Sequence, residues 1–319
     1  MKIGTYIGKK RGRKYISHST IGHTKSNLEK YDSIYVNRTE ERNKAAVEVE
    51  LGSEIPKFIS DGITNYLKTT GKKAEEIKIV EYGCGVGAYS FQLLEQGYDV
   101  EMSDQSEICV NEILKPKLRN MGMDPSRAFT ADLLDIPNDR HQRYDICILI
   151  GVVYEHEDYN TPRKAYKAVY KSLKGPGSML IHALNSFENS YLKLRLNRII
   201  MTVTGFFTFI KQPITYAPNS NLIRRCLGRK SLSYQFRHWF YRPIDIKTML
   251  SESDLEVRSE FALDIRQGIS EYLPLTRKDQ HIIVYGSKLN WTGNLLEKLT
   301  RKHPFLFAKR FGVWATIPD

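Results

Sequence analysis

The chain has few cysteines, and their arrangement indicates neither a metal site nor a disulfide framework. Only Cys84, Cys109, Cys147 and Cys226 occur in 319 residues, no two of them form a C-x-x-C pair, and no histidines cluster at metal-ligand spacing. These absences argue against a zinc site and against a small disulfide-stabilised secreted domain. We therefore expect no metal, and a reducing, cytoplasmic location.

Long apolar runs are also missing. The basic N-terminus lacks the apolar core of a secretory signal, and the apolar stretch 199–210 is too short to span a bilayer. The sequence therefore predicts no transmembrane segment. It leaves open whether residues 199–210 form a core helix, a lid or a helix that lies on a membrane surface.

Negative charge is scarce relative to positive charge. The chain has 48 Lys and Arg against 36 Asp and Glu, a formal net charge of +12, while its hydrophobic content of 41% is ordinary for a soluble globular protein. Such an excess favours an anionic partner: a nucleic acid, a phosphorylated glycan or an acidic membrane surface.

Composition and apolar periodicity divide the chain into six segments. An alternating strand and helix pattern, which predicts an α/β fold with parallel strands and right-handed crossovers, is interrupted once by an aromatic and basic insertion. The segments are a basic, flexible N-terminal arm (1–30), a helical cover broken at Pro56 (31–76), a ligand-binding core (77–185), the insertion (186–242), the C-terminal part of the core sheet (243–288) and a basic amphipathic tail (289–319).

Seven strands are predicted for the core sheet. Each is a short apolar or β-branched run, and most are separated by segments with helical periodicity. The predicted strands are 77–82, 98–103, 127–131, 144–151, 178–184, 255–263 and 281–288, and the predicted helices of the core are 88–96, 106–119, 161–173 and 243–253.

A glycine-rich turn follows the first predicted core strand. Glu81, Gly83, Gly85 and Gly87 have the spacing E-x-G-x-G-x-G, and a helical pattern begins at Ala88. Glycine permits positive φ and lets a ligand lie against the backbone, and the free N–H groups of the following helix face the turn. The pattern predicts a nucleotide or nucleoside site, and the alternative is that the glycines serve the turn alone.

Acidic residues end the next two predicted strands. Asp104 lies roughly 20 positions after the first glycine, where a carboxylate can accept hydrogen bonds from two ribose hydroxyls. Asp132 ends the third strand. Each has a local alternative, a helix cap for Asp104 and a turn residue for Asp132. Because an open α/β sheet binds ligands at the carboxyl ends of its strands, the order of these residues favours a ligand site.

These residues, in this order, resemble the class I S-adenosylmethionine-dependent methyltransferases. The glycine turn resembles their motif I, and the run from Tyr144 to Gly151 resembles motif IV of small-molecule and glycan-type members. The resemblance covers residues 77–184 and extends, with less support, to 243–288. It implies a Rossmann-like, mostly parallel seven-stranded sheet with helices on both faces, S-adenosylmethionine as cofactor and S-adenosylhomocysteine as product. It assigns cofactor contacts to Glu81, Gly83, Gly85, Gly87 and Gly151, ribose binding to Asp104, and adenine binding to Asp132 and the backbone N–H of Leu133.

Two signatures of base-modifying members are missing. The motif IV region has no Asp/Asn-Pro-Pro-aromatic turn, and no cysteine follows a proline, so transfer to an oxygen remains the favoured chemistry. In-line methyl transfer requires that the acceptor oxygen be aligned with the methyl group and that one proton be removed from the acceptor. His156, in an acidic stretch after the motif IV strand, is the predicted general base because its ordinary pKa lies near neutrality. The alternative is a surface loop histidine, with His182 and His238 as rival bases.

Candidate substrate residues come from the cover and the insertion. Tyr35 belongs to the helical segment that covers the cofactor in this class, while His238, Trp239 and Arg242 belong to an aromatic and basic stretch suited to phosphate binding and to stacking on a sugar or base. The alternative for Tyr35 is that it only packs within the cover. The alternative for the aromatic and basic stretch is a helix whose aromatic side chains pack and whose arginines are solvated.

The predicted function is methyl transfer to an oxygen of a small or glycan-like acceptor, and the positive charge favours an anionic one. The runner-up is an RNA methyltransferase, supported by the basic N-terminal arm. The third possibility is a non-catalytic scaffold with the same fold. A peripheral membrane contact is compatible with the same charge.

Overall fold

The computed structural model describes residues 6–10, 13–17, 27–152, 160–184, 241–266, 290–300 and 308–318. Two antiparallel strands, β1 (Tyr6–Lys10) and β2 (Arg13–Ser17), form a hairpin within the predicted N-terminal arm. The core sheet contains β3 (Lys78–Tyr82), β4 (Asp99–Asp104), β5 (Ala128–Thr130), β6 (Tyr144–Leu149), β7 (Leu173–Leu184), β8 (Glu256–Leu263) and β9 (Arg310–Thr316). The helices are α1 (Asn27–Val36), α2 (Glu40–Leu51), α3 (Ile55–Thr70), α4 (Ala88–Glu95), α5 (Lys115–Asn120), α6 (Thr161–Ser172), α7 (Pro243–Ser251) and α8 (Trp291–Thr300).

The seven core strands have the order β5-β4-β3-β6-β7-β9-β8. The first five strands in this order pair in parallel, and β9 runs antiparallel to both β7 and β8. One apolar cluster lies between the sheet and α3, α4 and α5, and a second lies between its other face and α6 and α7. Both faces are therefore covered, which explains why the parallel strands have near-continuous apolar sequences. The predicted Rossmann-like fold is confirmed.

The last strand of the sheet lies in a different part of the chain from the prediction. Strand β9 occupies Arg310–Thr316, inside the segment predicted to be a basic tail, whereas the predicted strand 281–288 lies outside the described residues. The sequence does not predict this strand because Gly312 interrupts its β-branched and aromatic pattern. A Cβ at this position would lie 2.6 Å from the Phe58 ring, so the glycine gives α3 room against the sheet.

The predicted helical cover consists of three helices rather than two. The additional break falls between α1 and α2, where the Thr39 side chain accepts a hydrogen bond from the backbone N–H of Arg42 at 3.4 Å and begins α2. Pro56 lies in the first turn of α3, where its missing N–H costs no hydrogen bond. Helix α3 packs closely on the sheet, since a Cβ on Gly62 would lie 2.4 Å from the Leu180 side chain.

Glu101 is a buried carboxylate on β4 with four donors around it. It accepts hydrogen bonds or ion pairs from Lys78 Nζ at 2.6 Å, Arg140 at 2.5 Å, Arg143 at 2.6 Å and the Tyr144 hydroxyl at 2.6 Å. Burial alone would raise the pKa of this carboxyl group, but the hydrogen bonds from Lys78, Tyr144 and Arg143 outweigh burial and lower the pKa to about 2. The ionised form is therefore the one that stabilises the fold.

Replacing Glu101 with glutamine is expected to lower the free energy of unfolding by about 3 kcal/mol at pH 7, because several cations lose their buried partner. The folded pKa lies below the unfolded value, so the stabilisation is present above about pH 4.5 and is lost as the pH falls towards 2. Urea denaturation between pH 3 and 7 measures both effects. Asp124→Asn, an exposed turn carboxylate, is the control, and equal acid sensitivity of Glu101→Gln and wild type would contradict the prediction.

Candidate active site

A cavity of about 420 Å³ opens along the carboxyl edge of the sheet. Residues at or near the carboxyl ends of the five parallel strands line it, and α1 and α2 cover it. It brings together eight of the residues predicted from the sequence: Tyr35, Glu81, Gly83, Gly85, Asp104, Asp132, Leu133 and Gly151.

The glycine turn lies in the middle of this edge. Gly83, Gly85 and Gly87 all have positive φ, at 68°, 55° and 73°. A Cβ on Gly83 would lie 2.1 Å from Val152 Cγ1, and one on Gly87 would lie 2.7 Å from the Phe91 ring. Gly87 therefore serves the start of α4 and is not part of the cavity wall, whereas Gly83 and Gly85 expose backbone to the cavity.

Gly83→Ala is expected to destabilise the protein by about 2–4 kcal/mol, because the new side chain adds a clash with Val152 to the cost of positive φ. Gly122 is the matched control: its φ is 70°, and a Cβ there would have nothing within 4 Å. Gly122→Ala is expected to cost only about 1 kcal/mol. Urea unfolding midpoints compare the two variants, and equal losses would show that close packing at Gly83 is unimportant.

Glu81 ends β3 and is buried beneath the turn. Its Oε2 accepts hydrogen bonds from the backbone N–H of Ser90 at 3.0 Å and from Ser90 Oγ at 2.5 Å. Burial raises the pKa of Glu81 to about 8, although the Ser90 hydroxyl works in the opposite direction. Without a ligand, the Glu81 carboxyl group is therefore largely protonated at neutral pH. A cationic ligand group beside it would lower its pKa.

Asp104 ends β4 and reaches towards the glycine turn. Its Oδ2 accepts from the backbone N–H of Gly85 at 3.1 Å, and its Oδ1 accepts from the N–H of Ser106 at 2.9 Å. Burial raises the pKa of Asp104, and hydrogen bonds from Ser106, Gly85 and the Tyr35 hydroxyl oppose that rise. Asp104 is thus a local cap for the residues that follow β4, which is the alternative given by the sequence. It is also a carboxylate in the cavity wall.

Helix α1 is tied to this part of the site. Ser106 Oγ donates to Asp32 Oδ1 at 2.5 Å, and the rings of Tyr31 and Tyr35 stack with their centroids 6.3 Å apart. The Tyr35 hydroxyl also lies 3.4 Å from where a Cβ on Gly85 would be. Tyr35 is therefore positioned over the turn rather than only within the packing of the cover.

Asp132 lies beyond the end of β5 and is exposed. Its Oδ1 accepts a hydrogen bond from the backbone N–H of Leu134 at 2.9 Å, so it forms the local turn that the sequence offered as an alternative. Asp132 and the half-buried Leu133 also line the cavity.

The cavity is also lined by polar and charged side chains that the sequence did not indicate. Arg38 and Glu50 come from the cover, Tyr89 from α4, and Arg310 from the start of β9. His182, from β7, was considered only as a rival base. Burial, followed by the positive charge of Arg310, lowers the pKa of His182 well below its usual value, so its ring is neutral at pH 7. No motif links these residues, because four separate parts of the chain supply them: the cover, α4, β7 and β9.

Arg242 is not brought to the cavity. It precedes α7, where its guanidinium donates to Asp245 Oδ1 at 2.6 Å and its backbone N–H donates to Asp245 Oδ2 at 2.9 Å. Arg242 therefore caps α7, and its substrate contact stays a prediction. His156, His238 and Trp239 lie outside the described residues.

The described part of the chain contains neither a cluster of metal ligands nor a membrane-spanning helix. Across those ranges, no three His, Cys, Asp or Glu side chains come together in a way that could hold a metal ion. Within the same ranges, no helix has the length and apolar character needed to cross a bilayer.

Comparison with known proteins identifies the family. Residues 51–260 match a family profile described as a methyltransferase domain. Among curated proteins, none matches the chain. Solved structures with a similar fold include an S-adenosylmethionine-dependent methyltransferase from Clostridium acetobutylicum ATCC 824, at 14% identity, 82% coverage of this chain and 92% of that one, and a TM-score of 0.47.

Two further structures have the same kind of similarity. The 1,6-didemethyltoxoflavin-N1-methyltransferase of Burkholderia thailandensis matches at 10% identity over 94% of each chain, with a TM-score of 0.49. A methyltransferase from Methanosarcina mazei matches at 12% identity over 80% of this chain and 95% of that one, also with a TM-score of 0.49. The family profile covers more than half of the chain, so the predicted family is confirmed: the chain belongs to the methyltransferase domain family.

Proposed function

We propose that the protein transfers a methyl group from S-adenosylmethionine to an oxygen of a small or glycan-like acceptor, and that S-adenosylhomocysteine is the second product. The observation that carries this proposal is that Gly85, Asp104, Asp132 and Gly151, which follow four adjacent parallel strands, line a single cavity. The carboxyl edge of such a sheet is where open α/β folds bind nucleoside ligands.

The residues of the cavity fit this cofactor. Asp104 is an acceptor-only carboxylate suited to two ribose hydroxyls, and the exposed Asp132 with the Leu133 N–H suits the edge of adenine. Gly85 leaves the backbone of the turn uncovered, so that a ligand can lie against it. Glu81 can pair with the ammonium group of the methionine part. When bound, S-adenosylmethionine supplies an electrophilic methyl group on sulfur.

His156 is the proposed general base. It would take the proton of the acceptor hydroxyl as that oxygen accepts the methyl group that bound S-adenosylmethionine would supply. His182 is the second candidate because it lines the cavity and its ring is neutral at pH 7. The free thiols of Cys84, Cys109 and Cys147 are buried, which fits the proposed cytoplasmic location.

Calorimetric titration with S-adenosylhomocysteine, followed by transfer of labelled methyl from S-adenosylmethionine into a fractionated extract, tests this function. We expect micromolar binding and label in a small-molecule or glycan fraction. Binding without transfer into any fraction would favour a non-catalytic scaffold, and absence of binding would refute the cofactor assignment.

Binding of S-adenosylhomocysteine at pH 7 is expected to release up to about 0.9 proton, because its ammonium group would ionise the Glu81 carboxyl, whose pKa is about 8. The release should fade above pH 9, where Glu81 is already ionised. Calorimetry in buffers of different ionisation enthalpy measures it, with Glu81→Gln as the control. Binding heats that do not depend on the buffer would place the ammonium group elsewhere.

An RNA acceptor is the second candidate, and the charge of α6 favours it. Residues 160–184 contain five Lys or Arg and no Asp or Glu, and Lys164, Lys167 and Lys171 are exposed along the helix. Regularly spaced lysines are suited to phosphate contacts. This candidate predicts label in the RNA fraction and RNA affinity that falls steeply with salt.

A further inference from the structure

The exposed residues of α6 are three lysines on one side of the helix. Lys164, Lys167 and Lys171 follow one another at steps of three and four residues, which places them in a row along the solvent face. None of the three forms an ion pair with another residue in the described part of the chain. We call this row the lysine stripe. Like charges at these spacings repel each other and destabilise a helix, so the stripe carries a cost that a bound anion would remove.

Several exposed cations elsewhere in the molecule have an acidic partner close by. The pairs are Lys44 with Glu40 at 2.9 Å on α2, Lys57 with Asp61 at 2.5 Å on α3, and Arg163 with Glu252 at 3.3 Å beside the stripe. In α2 and α3 the partner lies four residues away on the same helix, which stabilises an exposed lysine. The lysine stripe has no such partner within its own helix, because α6 contains no Asp or Glu.

Positive charge continues from the end of the stripe onto the amino edge of the sheet. The backbone N–H of Gln142 donates to the Lys171 carbonyl at 2.8 Å, so the segment before β6 adjoins the last lysine of the stripe. At the start of β7, Lys174 Nζ lies 3.2 Å from Asp145 Oδ2, and Lys72 Nζ lies 2.6 Å from Asp145 Oδ1. Two lysines share this one buried carboxylate, and their side chains are 42% and 33% exposed, so the edge stays positive.

The stripe lies outside the cavity and offers charge rather than apolar surface. No residue of α6, all of which is described, lines the cavity. Among the described residues, the large apolar side chains that are exposed all lie outside α6, so the stripe has no anchor that would insert among lipid tails. Tyr170 is half-buried and directly precedes Lys171, a position suited to stacking on an unpaired base. A row of lysines beside an aromatic ring fits a single-stranded nucleic acid better than a membrane.

We propose that the lysine stripe, continued by Lys174 and Lys72, binds the phosphate backbone of a single-stranded nucleic acid. This surface is separate from the cavity, so the proposal goes beyond the proposed function and holds whichever acceptor receives the methyl group. RNA and single-stranded DNA share the phosphate chemistry that the lysines recognise, and the test compares the two.

Fluorescence anisotropy measures this binding with labelled oligouridylate and oligodeoxythymidylate of about 20 nucleotides, in KCl from about 50 to about 300 mM. We expect the triple variant Lys164→Gln, Lys167→Gln and Lys171→Gln to bind at least about tenfold more weakly than wild type at the lowest salt concentration. The slope of log K against log salt concentration should become shallower by about 2, since three phosphate contacts are lost. The oligonucleotide that binds more tightly identifies RNA or DNA as the better ligand.

A matched triple variant separates local contacts from net charge. Arg42→Gln, Lys68→Gln and Arg119→Gln together remove the same number of charges from exposed positions of α2, α3 and α5. We expect this control to keep the affinity for both oligonucleotides within about twofold of wild type, with the same salt slope. Thermal melts check that both variants are folded. The stripe variant should melt no lower than wild type, because it loses the repulsion between neighbouring lysines.

Four results would overturn the proposal. They are absence of binding by wild-type protein at the lowest salt concentration, unchanged binding by the stripe variant, equal losses in the stripe and control variants, and binding to phosphatidylglycerol vesicles in place of either oligonucleotide. The last result would assign the stripe to an acidic membrane surface. Failure of the proposed function differs from all of these, since it shows as absence of S-adenosylhomocysteine binding, whereas the oligonucleotides are titrated without cofactor.

Discussion

Asp104→Ala is expected to weaken binding of S-adenosylhomocysteine by about 30- to 300-fold, because a charged acceptor of two ribose hydroxyls is removed. The backbone N–H of Gly85 loses its acceptor in the same variant, whereas the hydrogen bond from the Cys84 N–H to the Ser103 carbonyl still joins the glycine turn to β4. Calorimetric titration measures the affinity, and a thermal melt checks that the variant is folded.

A matched carboxylate far from the cavity serves as the control for Asp104. Asp124 also accepts from the N–H two residues later, at 2.8 Å, but it is exposed and does not line the cavity. Asp124→Ala should leave the affinity for S-adenosylhomocysteine unchanged. Wild-type affinity in Asp104→Ala would remove the ribose assignment, and equal losses in both variants would point to a general effect on the fold.

His156→Ala is expected to lower kcat by about 100- to 10,000-fold and to leave the affinity for S-adenosylhomocysteine within about twofold, since a general base acts on the acceptor proton and not on the cofactor. In the wild type, kcat/KM should fall at low pH as the general base becomes protonated, and this limb of the pH profile should be absent in the variant. Steady-state transfer of labelled methyl at several pH values measures both.

His182→Gln is the comparison that identifies the base. Because the pKa of His182 is well below its usual value, a profile governed by His182 would stay flat down to lower pH than one governed by an ordinary histidine. A large loss of kcat in His182→Gln together with full turnover in His156→Ala would exchange the two roles. Full turnover in both would mean that neither removes the proton.

The strands of the core sheet could be predicted because burial on both faces makes their sequences continuously apolar. The predicted strand 77–82 corresponds to Lys78–Tyr82, and the predicted strand 98–103 corresponds to Asp99–Asp104. The position of Asp104 and Asp132 at one cavity also follows from the sequence, because parallel strands end at the same edge.

The remaining parts of the cavity depend on tertiary contacts that no local pattern encodes. Arg38 and Glu50 reach the site only because α1 and α2 fold over the sheet, and Arg310 reaches it only because β9 inserts beside β7. Arg242, in contrast, is not among the residues that line the cavity, and Asp245, three positions later, pairs with it at the start of α7. The aromatic and basic composition of this stretch does not predict the ion pair between Arg242 and Asp245.

The position of β9 between β7 and β8 has a consequence for the order in which the protein folds during synthesis. Among the described strands, β8 pairs only with β9, so it cannot join the sheet until Arg310–Thr316 has been made. Until then, β7 lacks the neighbour that β9 provides, and an unpaired edge of this type invites pairing with other chains. A nascent chain that stalls before β9 is therefore expected to aggregate or to need a chaperone.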